Sequence, residues 1–302
     1  MIKNRNIKEF KQNVTLDILA NKLKYFDCNY FTIFQILQSI NCEDTDYIPK
    51  VAGAGEFYED PIQPYQLMHN GVKVTKYEYG GAVTGSIIYG LKGHHEPQEE
   101  KVFYEILQSM PSKATMIELG SAWAYYSLWF AKHVAEPINF MVEPYRSQLD
   151  IGIKNFSLNN FKGNFIHGYL TRQVDHTDPI EVNGSQEISI DSFLIEHNID
   201  HVNIMHADAQ GIEFDMLKSS INSIQLGKID YFVISTHHPK IHEACIQFLN
   251  YFNYIIIAEH SKEESFSNDG LIAAKRKGVQ GPDYIEISKA GKLSVREVSL
   301  NL

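Results

Sequence analysis

Five short segments of the chain hold residue types that can do chemistry at spacings that would let them do it together. Tyr231-Phe232-Val233-Ile234-Ser235-Thr236 runs into His237-His238-Pro239. An imidazole there can take the proton from a substrate hydroxyl, because its ordinary pKa of about 6.5 suits neutral pH. His237 is the expected base, although one of the two histidines is expected to cap a helix beginning at Pro239 and His237 could be that one. A second segment, His206-Ala207-Asp208-Ala209-Gln210-Gly211-Ile212-Glu213, delivers Asp208 and Gln210 just ahead of a glycine, where they can reach a bound cofactor or the reacting hydroxyl. Capping of the following helix is the simpler use for both, Glu213 suits a first helical turn, and His206 lies in an apolar run that suits a core histidine. A third, Asn139-Phe140-Met141-Val142-Glu143-Pro144, ends in an acid 23 residues after Gly120. A carboxylate at that point can accept hydrogen bonds from two ribose hydroxyls.

The fourth segment, Met116-Ile117-Glu118-Leu119-Gly120-Ser121-Ala122-Trp123-Ala124, places Gly120 and Ser121 at a tight strand-to-helix turn. Glu118 is a candidate for a ligand's ammonium group, with helix capping as its alternative. Without further glycines a pyrophosphate has little room at the helix start, which argues against NAD or FAD and leaves a nucleoside cofactor. The fifth, Gly93-His94-His95-Glu96-Pro97-Gln98-Glu99-Glu100, gathers polar groups before a helix, either folded over the cofactor or as a solvated helix start. A hard divalent ion usually has two carboxylates, and Asp208 is the one that the sequence places, so no metal is expected.

The elements that must hold these residues follow from periodicity. Short apolar runs near 115–119, 139–143, 163–167, 201–207, 230–235, 253–258 and 271–275 read as strands. Helices fit at 122–134, 146–159, 212–220 and 239–252. The alternation requires crossovers and a doubly wound, mostly parallel, seven-stranded α/β sheet over 112–302, whose last pair is antiparallel. The loop at Asn268-Asp269-Gly270 falls on the same sheet edge as the candidate residues, as a substrate lid or a plain turn. Residues 1–111 read as a helical and β-rich appendage: helical spacing over Tyr30–Leu37, short strands between Val51 and Gly93 with Gly80-Gly81 breaking the run, and a helix from Pro97 toward Met110-Pro111.

In this order, the turn at Gly120, Val142-Glu143-Pro144, Gly152, Asn155-Phe156-Ser157-Leu158-Asn159 and His206–Glu213 resemble the FkbM-type S-adenosylmethionine-dependent methyltransferases over residues 94–285. The resemblance implies a class I methyltransferase fold, S-adenosylmethionine as cofactor, and O-methylation of a sugar or secondary-metabolite hydroxyl. It carries onto Asp208, Gln210, Gly211 and Glu213. One departure is plain: the first loop reads Gly-Ser-Ala-Trp-Ala where the family often has Gly-Ala-Asn-x-Gly, so Trp123 stands to fill space that a backbone groove normally leaves. That departure motivates the rival reading, a non-catalytic nucleoside-binding or scaffold protein on the same fold.

Composition bounds the partners. The 302 residues carry 27 Lys and Arg against 37 Asp and Glu, a net charge of −10 with no basic stripe, which disfavours nucleic acid and favours a small-molecule acceptor. Apolar runs stop well short of the roughly 20 residues a membrane helix needs, and no secretory signal opens the chain, so a cytoplasmic protein is expected. Cys28, Cys42 and Cys245 are odd in number without metal-type spacing and read as reduced thiols. The N-terminal region is expected to cover the pocket or make a homo-oligomer.

Overall fold

The computed structural model describes residues 11, 30–170 and 184–291. The expectation for Cys28 falls outside them; Cys42 and Cys245 are buried and free. At its centre is an eight-stranded sheet in the order β10-β11-β9-β8-β4-β5-β6-β7. The strands are β4 (Thr115–Leu119), β5 (Ile138–Glu143), β6 (Asn164–Leu170), β7 (Gln186–Ile188), β8 (Val202–Asp208), β9 (Ile229–Thr236), β10 (Tyr254–His260) and β11 (Gly270–Arg276). From β7 to β9 the pairing is parallel. The hairpin β10–β11 adds the antiparallel edge, with β11 between β9 and β10. The seven expected strands are all present. The eighth, β7, lies in a polar stretch of three residues, too short for alternation to register.

Strand alternation divides the core. Met116, Ile204, Tyr231, Val233 and Ala273 face one side with helix α3 (Pro97–Leu107), which contributes Val102, Phe103, Ile106 and Leu107, and with α4 (Tyr125–His133). Ile117, Leu119, Met205, Phe232, Ile234 and Ala274 face the other. There they meet α6 (Ile190–Glu196), α7 (Glu213–Ser219), α8 (Ile221–Gln225) and α9 (Pro239–Tyr251). Pro97 opens α3 and Pro239 opens α9, each at a helix start where no intrahelical N–H is needed. Helix α5 (Arg146–Leu158) follows β5.

The N-terminal region forms α1 (Tyr30–Ile40) and an antiparallel sheet of β1 (Phe57–Tyr58), β2 (Tyr65–Leu67) and β3 (Lys73–Thr75). It also forms α2 (Gly81–Gly90), where the sequence suggested a break: Gly80 and Gly81 start this helix with positive φ. The small sheet is tied to α5 and its C-cap by side chains. Asn155 accepts a hydrogen bond from Thr75 N (2.8 Å), and Asn159 both accepts from Lys73 N and donates to Lys73 O.

Candidate active site

Strand order reverses between β4 and β8, and the first loop opens there. Gly120 has φ 71°, and a Cβ on it would lie 1.9 Å from the Asp208 carbonyl oxygen, so the ends of β4 and β8 meet this closely only because residue 120 is glycine. The loop is then fastened to the end of β5. Gly120 and Ser121 N–H both donate to Val142 O, and Ala122 N–H donates to the Glu143 carboxylate (2.9 Å). The other Glu143 oxygen takes Tyr145 N–H (2.8 Å). Burial pushes the Glu143 carboxyl above its ordinary pKa while the two N–H donors oppose the shift. Glu143 therefore shapes the loop, and each of its oxygens retains a lone pair for a ribose hydroxyl.

Ala122 (φ 41°) and Ala124 (φ 58°) take left-handed backbone in this loop without being glycine. Between them Trp123 stacks on Tyr79 from the N-terminal region (4.8 Å, 10°) and on Tyr125 (5.1 Å, 27°). Asn155 holds the Trp123 carbonyl (2.9 Å) while its other end holds β3.

Glu118 is buried and accepts from Ser127 N–H at the start of α4 (3.0 Å), so the structure gives it the capping geometry. Burial pushes its carboxyl up to about 7. On the same strand face, His206 pairs with Glu99 of α3 (2.6 Å), and Ser235 donates to the other Glu99 oxygen (2.6 Å). His206 is thus a core histidine. The Gly93–Glu100 segment is not a solvated helix start: His94, His95, Gln98, Glu99 and Glu100 are buried, and the His95 ring meets Trp123 edge-on at 4.9 Å.

At the ends of β8 and β9 the expected pair comes together with Glu213, expected on a first helical turn, and with Asp269 of the loop expected on the same edge. His237 Nδ1 lies 2.7 Å from buried Glu213, and its Nε2 lies 3.2 Å from Asp208 and 3.5 Å from Asp269. Gln210 is exposed and donates to Asp208 (3.1 Å). Burial of His237 works against a charge, but Asp208, Glu213 and Asp269 outweigh it and push the imidazole up to about 10. This corrects the expectation of an ordinary histidine: between these acids His237 is an imidazolium at neutral pH. Burial, with Asp208 nearby, raises Asp269 to about 6. Asp269 belongs to the Asn268–Gly270 loop and lies beyond the reach of any motif; its position before a strand on the same edge was the one available signal.

An orphaned atom tests whether a cofactor suits the loop. Ser121 is buried, and its hydroxyl oxygen has no hydrogen-bond partner among the described residues, in the loop that Glu143 fastens through Ala122 N–H. These residues fit the polar ribose of a nucleoside cofactor.

Residues 154–256 match the family model of the methyltransferase FkbM domain. This match is to the same family that the motifs resemble, and it lies within the residues 94–285 that carry the resemblance. Among solved structures, the chain is similar to TrmK of M. capricolum in complex with S-adenosyl-homocysteine, at 14% identity, covering 66% of this chain and 73% of that one, with a TM-score of 0.39. It is similar to precorrin-6y C5,15-methyltransferase from Geobacter metallireducens GS-15 at 12% identity, 58% and 89% coverage and a TM-score of 0.40. The METTL16 methyltransferase domain gives 13% identity, 70% and 86% coverage and a TM-score of 0.43. No curated protein matches the chain.

Proposed function

We propose that the chain is an S-adenosylmethionine-dependent O-methyltransferase that acts in the cytoplasm on a hydroxyl of a sugar or secondary metabolite. One observation carries this reading: Asp208, His237 and Asp269 converge at the sheet edge beside the loop that Glu143 and Gly120 shape. The cofactor supplies an electrophilic methyl on a sulfonium. Glu143 and Ser121 hold its ribose, and the acceptor hydroxyl lies against Asp208. The Asp208 carboxylate would take the proton of that hydroxyl as its oxygen is methylated. His237, fixed by Glu213, orients Asp208 and offers its positive charge to the oxygen. Acids at this edge and a net charge of −10 favour a neutral acceptor with hydroxyl donors over a polyphosphate.

The test is calorimetry with S-adenosylhomocysteine and with NAD, followed by S-adenosylhomocysteine release over a panel of sugars and phenols. Binding of NAD in preference would remove the reading. Tight cofactor binding with no turnover on any hydroxyl would favour the rival, a non-catalytic nucleoside-binding protein on this fold.

A further inference from the structure

His69 follows β2, His94 precedes α3, and Glu100 lies in the first turn of α3; all three are buried. Their ligating atoms lie within 4.8 Å of one another. The two imidazoles stack in parallel with centroids 4.0 Å apart (16°), so neither ring bonds the other. The Tyr125 hydroxyl of α4 is 3.2 Å from His69 Nδ1 and 3.4 Å from Glu100 Oε2, and His94 Nδ1 contacts that same carboxylate oxygen. Glu100 is fixed from behind, its Oε1 accepting from His95 N–H (2.7 Å) and Glu96 N–H (3.2 Å) and meeting the His95 ring (2.8 Å). Its second oxygen is thereby aimed into the group.

Among the described residues, His94 Nε2 is buried with no hydrogen-bond partner while its Nδ1 contacts Glu100, so hydrogen bonds alone leave this arrangement incomplete. Two imidazoles and one carboxylate are a donor set that suits zinc. We propose that His69, His94 and Glu100 bind a structural zinc ion, with the Tyr125 hydroxyl at the fourth corner. The ion would fasten the β2–β3 layer to the starts of α3 and α4. His95 and Tyr125 both pack on Trp123, so the site braces the first loop from behind without touching the reacting groups.

The test is the metal content of the full chain, purified without a polyhistidine tag or chelating resin, by mass spectrometry. About one zinc per chain is expected, resistant to dialysis. Removal by dipicolinate should lower the melting temperature, and Co²⁺ in its place should give the visible bands of a tetrahedral ion. His94→Ala and Glu100→Gln should each hold less than about a tenth of the wild-type zinc. Wild-type chain that takes up neither Zn²⁺ nor Co²⁺ and melts unchanged overturns the proposal, as does zinc retained in both variants. Should the variants fail to fold, the cobalt spectrum of the wild-type chain decides: absence of the bands is the overturning result.

Discussion

Three side chains at the sheet edge make separable claims. His237 has a folded-state pKa of about 10, above its unfolded value. Its contribution to stability is therefore complete below about pH 6.5 and is lost as pH rises toward about 10. His237→Gln should flatten the fall of melting temperature between pH 7 and 10 relative to wild type, and equal slopes would show that the acids do not hold the proton. The same variant should lower turnover by about 10²–10⁴-fold with cofactor affinity nearly intact. Glu118 follows the same sign in the same formalism, over a lower pH window. As a carboxyl raised to about 7, it takes stability away as pH climbs through the interval from its ordinary value. Glu118→Gln keeps an acceptor for Ser127 N–H and should raise the melting temperature at pH 8 but not at pH 5; a drop at pH 8 would assign Glu118 a needed charge. Glu143→Ala should weaken S-adenosylhomocysteine binding by about 1.5–3 kcal/mol, the scale of hydrogen bonds to a charged group. Calorimetry showing unaltered affinity would end its assignment to the ribose.

The first loop is where an element, rather than a residue, sets the chemistry. Gly120 is close-packed against the backbone of β8, so Gly120→Ala must push the ends of β4 and β8 apart. A loss above about 3 kcal/mol in denaturant titration is expected, because a backbone clash and a left-handed φ act together. Ala124 presents the reverse case. It caps α4 in left-handed backbone without the freedom of glycine, and Ala124→Gly should leave stability equal or raise it by up to about 1 kcal/mol. A clear loss would mean that the Ala124 methyl packs for a purpose; the nearby backbone of Gly152, where an added Cβ would stand 3.1 Å from that methyl, is where to look.

For the whole molecule, the region before Ser112 reaches deep into the sheet. Glu99 joins His206 and Ser235, Val102 and Phe103 lie in one core with Met116 and Val233, and Gln98 binds the carbonyls of Glu264 and Ser288. A chain of residues 112–302 alone would leave His206 and Ser235 without their acid and an apolar face uncovered. It should aggregate or melt without a cooperative transition, by circular dichroism. A sharp transition with wild-type cofactor affinity would instead mark residues 1–111 as a separable appendage. Among the described residues, no helix is long and apolar enough to cross a membrane.

Local pattern determined much of this. The strands β4, β5, β8 and β9 are buried runs bounded by turn residues, and their ends carry Gly120, Glu143, Asp208 and His237 in an order that a parallel sheet must bring to one edge. The two glycines at the start of α2 and the three residues of β7 misled or gave no signal, because their structure depends on what packs beside them. The tertiary structure alone decided the charge of His237, since Glu213 lies 24 residues away in sequence and Asp269 comes from the far hairpin. It alone gathered His69, His94 and Glu100, whose spacing matches no motif. Periodicity records which face of an element is apolar, whereas a pKa or a ligand set depends on distances between elements, and those are fixed only when the layers pack.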